Sequence, residues 1–421
     1  MWRATYSILL YLLLPLIAAR LLWRARRNPA YLRRWGERFR PGPPMPARPR
    51  LWLHAVSVGE VAAAVPLVEA LRLRFPDHAV LVTTTTPTGS AEVCRRFGAQ
   101  VEHRYLPVDL PRLTRRFVRR VNPRLLIVME TELWPNLYAA CRSLDVPVML
   151  VNGRLSEQSL KGYRRVRPLV AATLRCVSAL AARSDADARR FCELGADAAR
   201  VRVPGNVKYD LRSPANGNSA VPPRPAPDRP VWIAASTHEG EEQRVLSVHR
   251  SVRERIPDAL LILVPRHPER FEAAARLCGQ AGLPAARRSR GETPAAETAV
   301  WLGDTMGELQ DLFGRADVAF MGGSLVPAGG HNPLEAAVHA LPVLTGPHVF
   351  NFGDVFDALQ QAGGARVVPD DAALTREVIA LLGDAGDRAR RGEAAARVVA
   401  VNRGAVARVA DWVEEIVGRE G

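Results

Sequence analysis

The sequence predicts an α/β protein: two doubly wound domains behind an N-terminal apolar helix. Three observations predict it. Short apolar runs alternate with helical periods along the chain, the pattern of a parallel sheet covered on both faces. The alternation stops at 211–230, LRSPANGNSAVPPRPAPDRP, and then restarts. Before it begins, residues 6–19, YSILLYLLLPLIAA, form an uncharged run of 14 residues.

That first run is short for a bilayer span, which needs about 20 apolar residues. It reads as a marginal transmembrane anchor or as a helix lying in one leaflet. Arg20, Arg24, Arg26, Arg27, Arg33 and Arg34 follow it and only Arg3 precedes it. This bias places the body of the chain in the cytoplasm, and the arginines suit anionic lipid phosphates. A cleaved signal peptide is disfavoured, because the basic cluster follows the run and no small-x-small site is present. A buried helix of a soluble protein is the bland alternative. Tyr, Leu and Trp flanked by arginines suit an interface better.

Charge is unevenly spread. The net charge is +15 over 421 residues. Residues 1–50 hold 11 arginines and one acidic residue, Glu37, a balance of +10 that leaves +5 for the rest. A basic surface spread over the whole body, as a general nucleic-acid binder shows, is therefore not expected. The five cysteines form no CxxC pair and read as scattered thiols of a reducing compartment.

After the Pro-rich spacer at 41–50, LWLHAV (51–56) reads as a buried strand and 59–75 as a helix. AVLVTTTT (79–86), RLLIVME (124–130), PVMLVNG (147–153) and CVSALAA (176–182) repeat the scheme. Beyond the second spacer, VWIAAS (231–236), ALLILVP (259–265), AVWLG (299–303), DVAFMGG (317–323) and PVLTG (342–346) do the same. The expected organisation is an anchor helix at 1–30, a Rossmann-like domain at 31–210, a linker at 211–229 and a second Rossmann-like domain at 230–421. The final helix is left able to pack back on the first domain, and the tail after 405 carries little signal.

Such domains bind ligands beyond the C-terminal ends of their strands. Neither has a G-x-G-x-x-G after its opening strand, and no P-loop motif is present, so a dinucleotide or P-loop nucleotide is not expected. DxD, HExxH and clustered His/Cys are missing too, so no metal and no cofactor are expected.

The polar candidates cluster after the strands. Ser57, Gly59 and Glu60 open a helix whose N–H groups suit an anion, or make a plain turn and cap. Thr86 has the same setting in TTTTPTGS (83–90). Glu130 and Glu132 in METELWPN share a face only if the strand persists. They are acid/base groups or partners of nearby arginines. In the second half, Arg266 and His267 are placed to meet a phosphate. Gly322, Gly323 and Ser324 allow close backbone approach. Asn332 starts a helix bearing Glu335, which can accept ribose hydroxyls, and Ser236, Thr237 and His238 complete the rim. These residues read as a two-domain transferase with a nucleotide donor in the second domain. Glu37, alone among the four arginines of YLRRWGERFR (31–40), is a catalyst or a salt-bridging residue on this reading.

The chain also strongly resembles the bacterial 3-deoxy-D-manno-octulosonic acid (Kdo) transferases of lipopolysaccharide synthesis. The resemblance rests on RRWGERF (33–39), HAVSVGE (54–60), TTTTPTGS, YLPVDLP (105–111), METELWPN (129–136), NGRLS (152–156), ASTHEGEE (235–242), LILVPRHPERF (261–271), GDTMGELQDLF (303–313), GGSLVPAGGHNPLEAA (322–337) and GPHVFNF (346–352). It implies a GT-B glycosyltransferase fold anchored at the inner membrane by the N-terminal helix. It further implies CMP-Kdo as donor, a lipid A precursor as acceptor and inversion at the anomeric carbon without a metal. The family's catalytic glutamate, in the GER motif, is Glu37 here. Arg33, Arg34, Arg38 and Arg154 then join the acceptor-side candidates. The rivals are a membrane-tethered binding protein and a GT-B transferase using a UDP-sugar.

Overall fold

The computed structural model describes residues 2–211, 221–224, 226 and 228–418. The chain forms two units, Met1–Asp210 with Asn402–Gly421, and Leu211–Val401.

The first unit opens with helix α1 (Trp2–Arg27) and the single-turn α2 (Gly36–Phe39). Alternation then runs through β1 (Arg50–His54), α3 (Val58–Arg74), β2 (Ala79–Thr84), α4 (Pro87–Phe97), β3 (Glu102–Tyr105), α5 (Pro111–Val121) and β4 (Leu125–Met129). It continues with α6 (Pro135–Arg142), β5 (Val148–Gly153), α7 (Glu157–Arg165), α8 (Arg167–Leu174), β6 (Ala179–Ala182), α9 (Asp185–Glu193) and β7 (Val201–Arg202). All strand pairs are parallel, in the order β3-β2-β1-β4-β5-β6-β7. The order reverses between β1 and β4, the switch point at which such sheets bind ligands.

Period-two alternation sorts the side chains. Leu51 and Leu53 face one core with Leu67 and Leu71 of α3, and Trp52 faces the other with Phe117 and Leu126. Trp52 is fully buried, and its indole N–H donates to Thr83 Oγ1 at 2.8 Å.

The second unit runs β8 (Val231–Thr237), α10 (Glu241–Arg255), β9 (Leu260–Pro265), α11 (Phe271–Gln280), β10 (Ala285–Arg287), β11 (Val300–Leu302), α12 (Leu309–Phe313) and β12 (Val318–Met321). It then adds α13 (Leu334–Ala337), β13 (Val343–Thr345), α14 (Gly353–Gln361), β14 (Ala365–Val367), α15 (Asp371–Gly383) and α16 (Ala385–Asn402). Its sheet is also all parallel, ordered β10-β11-β9-β8-β12-β13-β14, with the switch between β8 and β12.

The last helix, α17 (Ala405–Gly418), belongs to the first unit. Val406, Val409, Trp412 and Val413 enter the core against α3. Asp210 fixes the turn before it, accepting from Gly404 N and Val406 N at 2.6 Å each. Arg202 clamps its far end, pairing with Glu415 at 2.9 Å and stacking on Trp412 at 4.4 Å. The tail after 405, expected to be uninformative, is thus core structure.

Most of the expected linker, 212–220 with 225 and 227, lies outside the described residues. Its remainder is not loose. Val221 is buried in the second unit, and Arg224 grips Asp317 bidentately at 2.8 and 2.9 Å.

Helix α1 is long and apolar enough to cross a membrane. Tyr6, Ser7, Leu10, Leu14, Ile17, Ala18, Leu21 and Ala25 are at least partly covered, a stripe at helical spacing. At its start Tyr6 donates to Asp109 and Ser7 to Asn136, each at 3.1 Å. The other face exposes Ile8, Leu9, Leu12, Leu16, Leu22 and Trp23, Leu12 by 70%.

Candidate active site

Glu37 sits on α2, beside the C-terminal ends of β2 and β3. Its Oε1 accepts from Arg34 Nε at 2.6 Å, and its Oε2 from Arg34 Nη2 at 2.7 Å and Tyr105 N at 2.9 Å. The side chain keeps 28% exposure. Arg34 reaches it from a left-handed backbone position, φ +55°. Such a conformation costs a non-glycine residue about 1 kcal/mol or more. Arg34 is held there by further contacts of 2.9 Å to His103 O and 2.8 Å to His103 Nδ1.

Arg38 plays a different part. It is buried, donates to Thr85 O and stacks on the Tyr105 ring at 4.1 Å. Burial pushes its guanidinium below the usual range, against the opposing Tyr105, Tyr31 and Glu37. Its Nε and Nη2 are buried without a hydrogen-bond partner among the described residues. Arg33 is exposed.

After β1 and β2, the turns that the sequence leaves open between anion site and cap do form caps. Ser57 Oγ accepts from Glu60 N at 3.4 Å, while Glu60 accepts from Val56 N at 2.8 Å and Ser57 Oγ at 3.1 Å. This is a capping box, with Gly59 in its first turn. Thr86 caps α4 by accepting from Gly89 N at 3.1 Å.

Glu130 and Glu132 do not share a strand face. The strand β4 ends at Met129, and Glu130 turns away at φ +55° to pair with Lys208 at 3.0 Å. Arg154 lies beyond β5, its backbone N–H donating to Thr131 Oγ1 at 3.1 Å.

Burial lifts Glu60 to about 7, aided by the charges of Glu130 and Glu132 and opposed by its Val56 N–H and Ser57 bonds. Glu132 also rises to about 7, by burial and by Glu130. The fold therefore favours the protonated form. The stability these groups contribute is full below about pH 4.5 and is lost as pH rises through 7. Glu132→Gln mimics the protonated acid. It is expected to stabilise the protein by about 2 kcal/mol at pH 8 and to change little at pH 4. Equal shifts in denaturant midpoint at both pH values would show that the site does not hold the proton.

In the second unit the glycine loop is already filled. Glu241, in the first turn of α10 and 0% exposed, accepts from His238 N at 2.9 Å, Gly323 N at 2.6 Å, Ser324 N at 2.9 Å and Leu325 N at 2.8 Å. The N–H groups of the loop expected to allow close backbone approach to a ligand are thus spent on this carboxylate. Gly322 is required by packing, because a Cβ there would lie 2.6 Å from Ser236 O. Ser324 Oγ donates to Met321 O at 2.6 Å and accepts from Gly346 N at 2.8 Å. Ser236 occupies a left-handed position, φ +58°.

The expected helix from Asn332 is a single turn, Leu334–Ala337, bearing Glu335. Asn332 Oδ1 accepts from Leu334 N at 3.2 Å. One turn carries little dipole to hold an anion.

The groups left facing the strand ends are imidazoles and a guanidinium. His238 Nε2 lies 2.8 Å from His331 Nε2, the rings stacked at 5.1 Å, and His267 meets His238 edge-on at 5.3 Å. Burial lowers His331 to about 3, with Arg266, His238 and His267 adding to the effect. Burial likewise lowers His238. Thr237 Oγ1, buried, has no partner among the described residues. A neutral imidazole pair beside Arg266 suits an anion that brings its own charge. Glu241 and His331 were not among the sequence candidates, although ASTHEGEE and GGHNP contain them.

Two units, each an all-parallel sheet covered by helices, are the two-lobed α/β architecture consistent with a GT-B fold. The glycosyltransferase structure from Rickettsia africae shares the fold, with a TM-score of 0.55 and 14% identity over 89% of this chain and 99% of that one. The chain belongs to the 3-deoxy-D-manno-octulosonic acid transferase family. The family model matches residues 33–211. The transferase of Haemophilus influenzae is 41% identical over 425 residues, covering 100% of both chains. That of Bordetella pertussis is 39% identical, covering 99% of this chain and 100% of its own. The protein is a transferase enzyme.

Proposed function

We propose that the enzyme transfers Kdo from CMP-Kdo to a hydroxyl of a lipid A precursor at the cytoplasmic face of the inner membrane. The carrying observation is Glu37, a partly exposed carboxylate fixed at a strand end in a family of Kdo transferases. Glu37 takes the proton of the acceptor hydroxyl as its oxygen attacks the anomeric carbon. The bond to CMP breaks, and CMP leaves with the electron pair as a stabilised phosphate. Attack opposite the leaving group inverts the centre.

A carboxylate offers about four acceptor sites, and three are in use, so one on Oε1 remains for the hydroxyl. Protonating Glu37 strips Arg34 of its counter-ion. An acceptor phosphate near Arg34 or Arg33 offsets that loss. The donor is assigned to the second unit, where Thr237, His238, Arg266, His267 and His331 face its anionic groups.

Helix α1 is assigned to one leaflet, lying flat. A spanning helix carries one end about 30 Å from the body, whereas α1 has its first turns bonded to Asp109 and Asn136. Its exposed apolar face then enters lipid. The one-sided arginines support the cytoplasmic side.

Incubating the protein with lipid A precursor and either CMP-Kdo or a UDP-sugar tests the reading. CMP release and acceptor mass gains in whole Kdo units are expected with CMP-Kdo alone. Turnover only with the UDP-sugar moves the donor class, and none by folded protein leaves a binding protein.

A further inference from the structure

A cavity of about 700 Å³ opens beside the first turn of α1, between α5, α6 and α8. It is separate from the strand-end sites. Arg3, Arg112, Arg115 and Arg142 line it from three helices. All four are exposed, and none makes a side-chain hydrogen bond or ion pair among the described residues. Among the described residues no carboxylate lines it. The nearby Asp109 is buried and bonded by Tyr6, Asn136 N and Leu137 N, and of the four arginines only Arg3 acts on its charge. The walls between the arginines are mixed: Leu169 and Ala172 of α8 with Ala139 and Ala140 of α6 give an apolar side, and Asn136, Ser143 and Thr173 add polar groups.

We propose that this cavity takes the phosphate of an anionic membrane phospholipid, gripped by the arginines while its chains run along α1. Like charges gathered around one cavity repel unless an anion is among them. Guanidinium forks match phosphate oxygens in bidentate geometry. The apolar side of the cavity and the exposed apolar face of α1 receive the hydrocarbon that a free phosphate lacks. The proposal rests on the reading that α1 lies in a leaflet.

The test is flotation of the full-length protein with acceptor-free vesicles, either phosphatidylcholine alone or phosphatidylcholine with phosphatidylglycerol. Kdo transfer is assayed separately, so failure of one reading is not failure of the other. Wild type is expected to prefer the anionic vesicles by about tenfold or more, roughly 1 kcal/mol per basic residue near the surface. Arg115→Ala/Arg142→Ala is expected to lose most of that preference. Arg115→Lys/Arg142→Lys keeps the charge without the fork and is expected to lose part of it. Arg116→Ala/Arg119→Ala removes the same charge from α5 at residues that do not line the cavity and is expected to lose less than the alanine pair. Equal losses in the two alanine pairs mean diffuse attraction and overturn the site. Displacement from vesicles by millimolar inorganic phosphate makes it a free-phosphate site and overturns the lipid.

Discussion

Glu37→Gln is expected to lower turnover by about 100-fold or more, the scale of a lost general base, while leaving CMP affinity nearly unchanged. The amide is isosteric and its oxygen can still accept from Tyr105 N, so α2 keeps its place against β3. The lost pairing with Arg34 is part-exposed, and such pairs contribute at most about 1 kcal/mol. The thermal midpoint should therefore move by only a few degrees. A structural role predicts the opposite pattern, a large loss of stability with activity recovering on cooling. Glu37→Asp adds a geometric control, since it keeps the carboxylate but withdraws it by one methylene. Its turnover should fall between the two. A folded Gln variant within a few-fold of wild type, under conditions where chemistry limits the rate, would sink Glu37 as the base. Glu60 and Glu132, which can hold a proton near neutrality, would be the next groups to test.

The sequence made the sheets legible because their inner strands are buried on both faces. RLLIVME and VWIAAS read directly as such strands. The edges were not legible. The strands β3, β7, β10 and β14 have two to four residues each, and EHRY and VR have no apolar pattern to detect. Helix α17 was undervalued, although Val406, Val409 and Val413 sit at helical spacing. Its family signal is weak, and a packing role needs only that spacing.

At the site, residue types pointed to loops at the strand ends but not to who bonds whom. Ser57 and Thr86 have the composition of anion-binding turns, and the same composition makes N-caps. Gly322-Gly323-Ser324 resembles a phosphate cradle, and only the fold brings Glu241, more than eighty residues earlier, into it. Long-range pairing of this kind leaves no local trace in one sequence.

Glu241→Ala is expected to cost the second unit most of its stability. The carboxylate satisfies four backbone N–H groups, those of Gly323, Ser324 and Leu325 in buried bonds. Each buried donor left unpaired costs about 1–3 kcal/mol. Even with water taking some of the bonds, the sum is about 4 kcal/mol or more, against a total of about 5–15 kcal/mol for a domain. The variant should therefore accumulate poorly and melt early. Glu241→Gln retains one acceptor oxygen but turns an amide NH2 towards other N–H groups. A loss of about 2 kcal/mol is expected, or roughly 5 °C in the midpoint of a domain this size. The alternative is that Glu241 merely stands in for a donor phosphate and leaves when CMP arrives. On that view the Ala variant opens an anion cradle, keeps near wild-type stability in the presence of phosphate and binds CMP more tightly. Thermal scans of both variants with and without CMP decide between them. A stable Ala variant with tighter CMP binding would return the glycine loop to the donor site. An unstable one, not rescued by CMP, fixes Glu241 as the internal anion around which the ends of β8 and β12 are built.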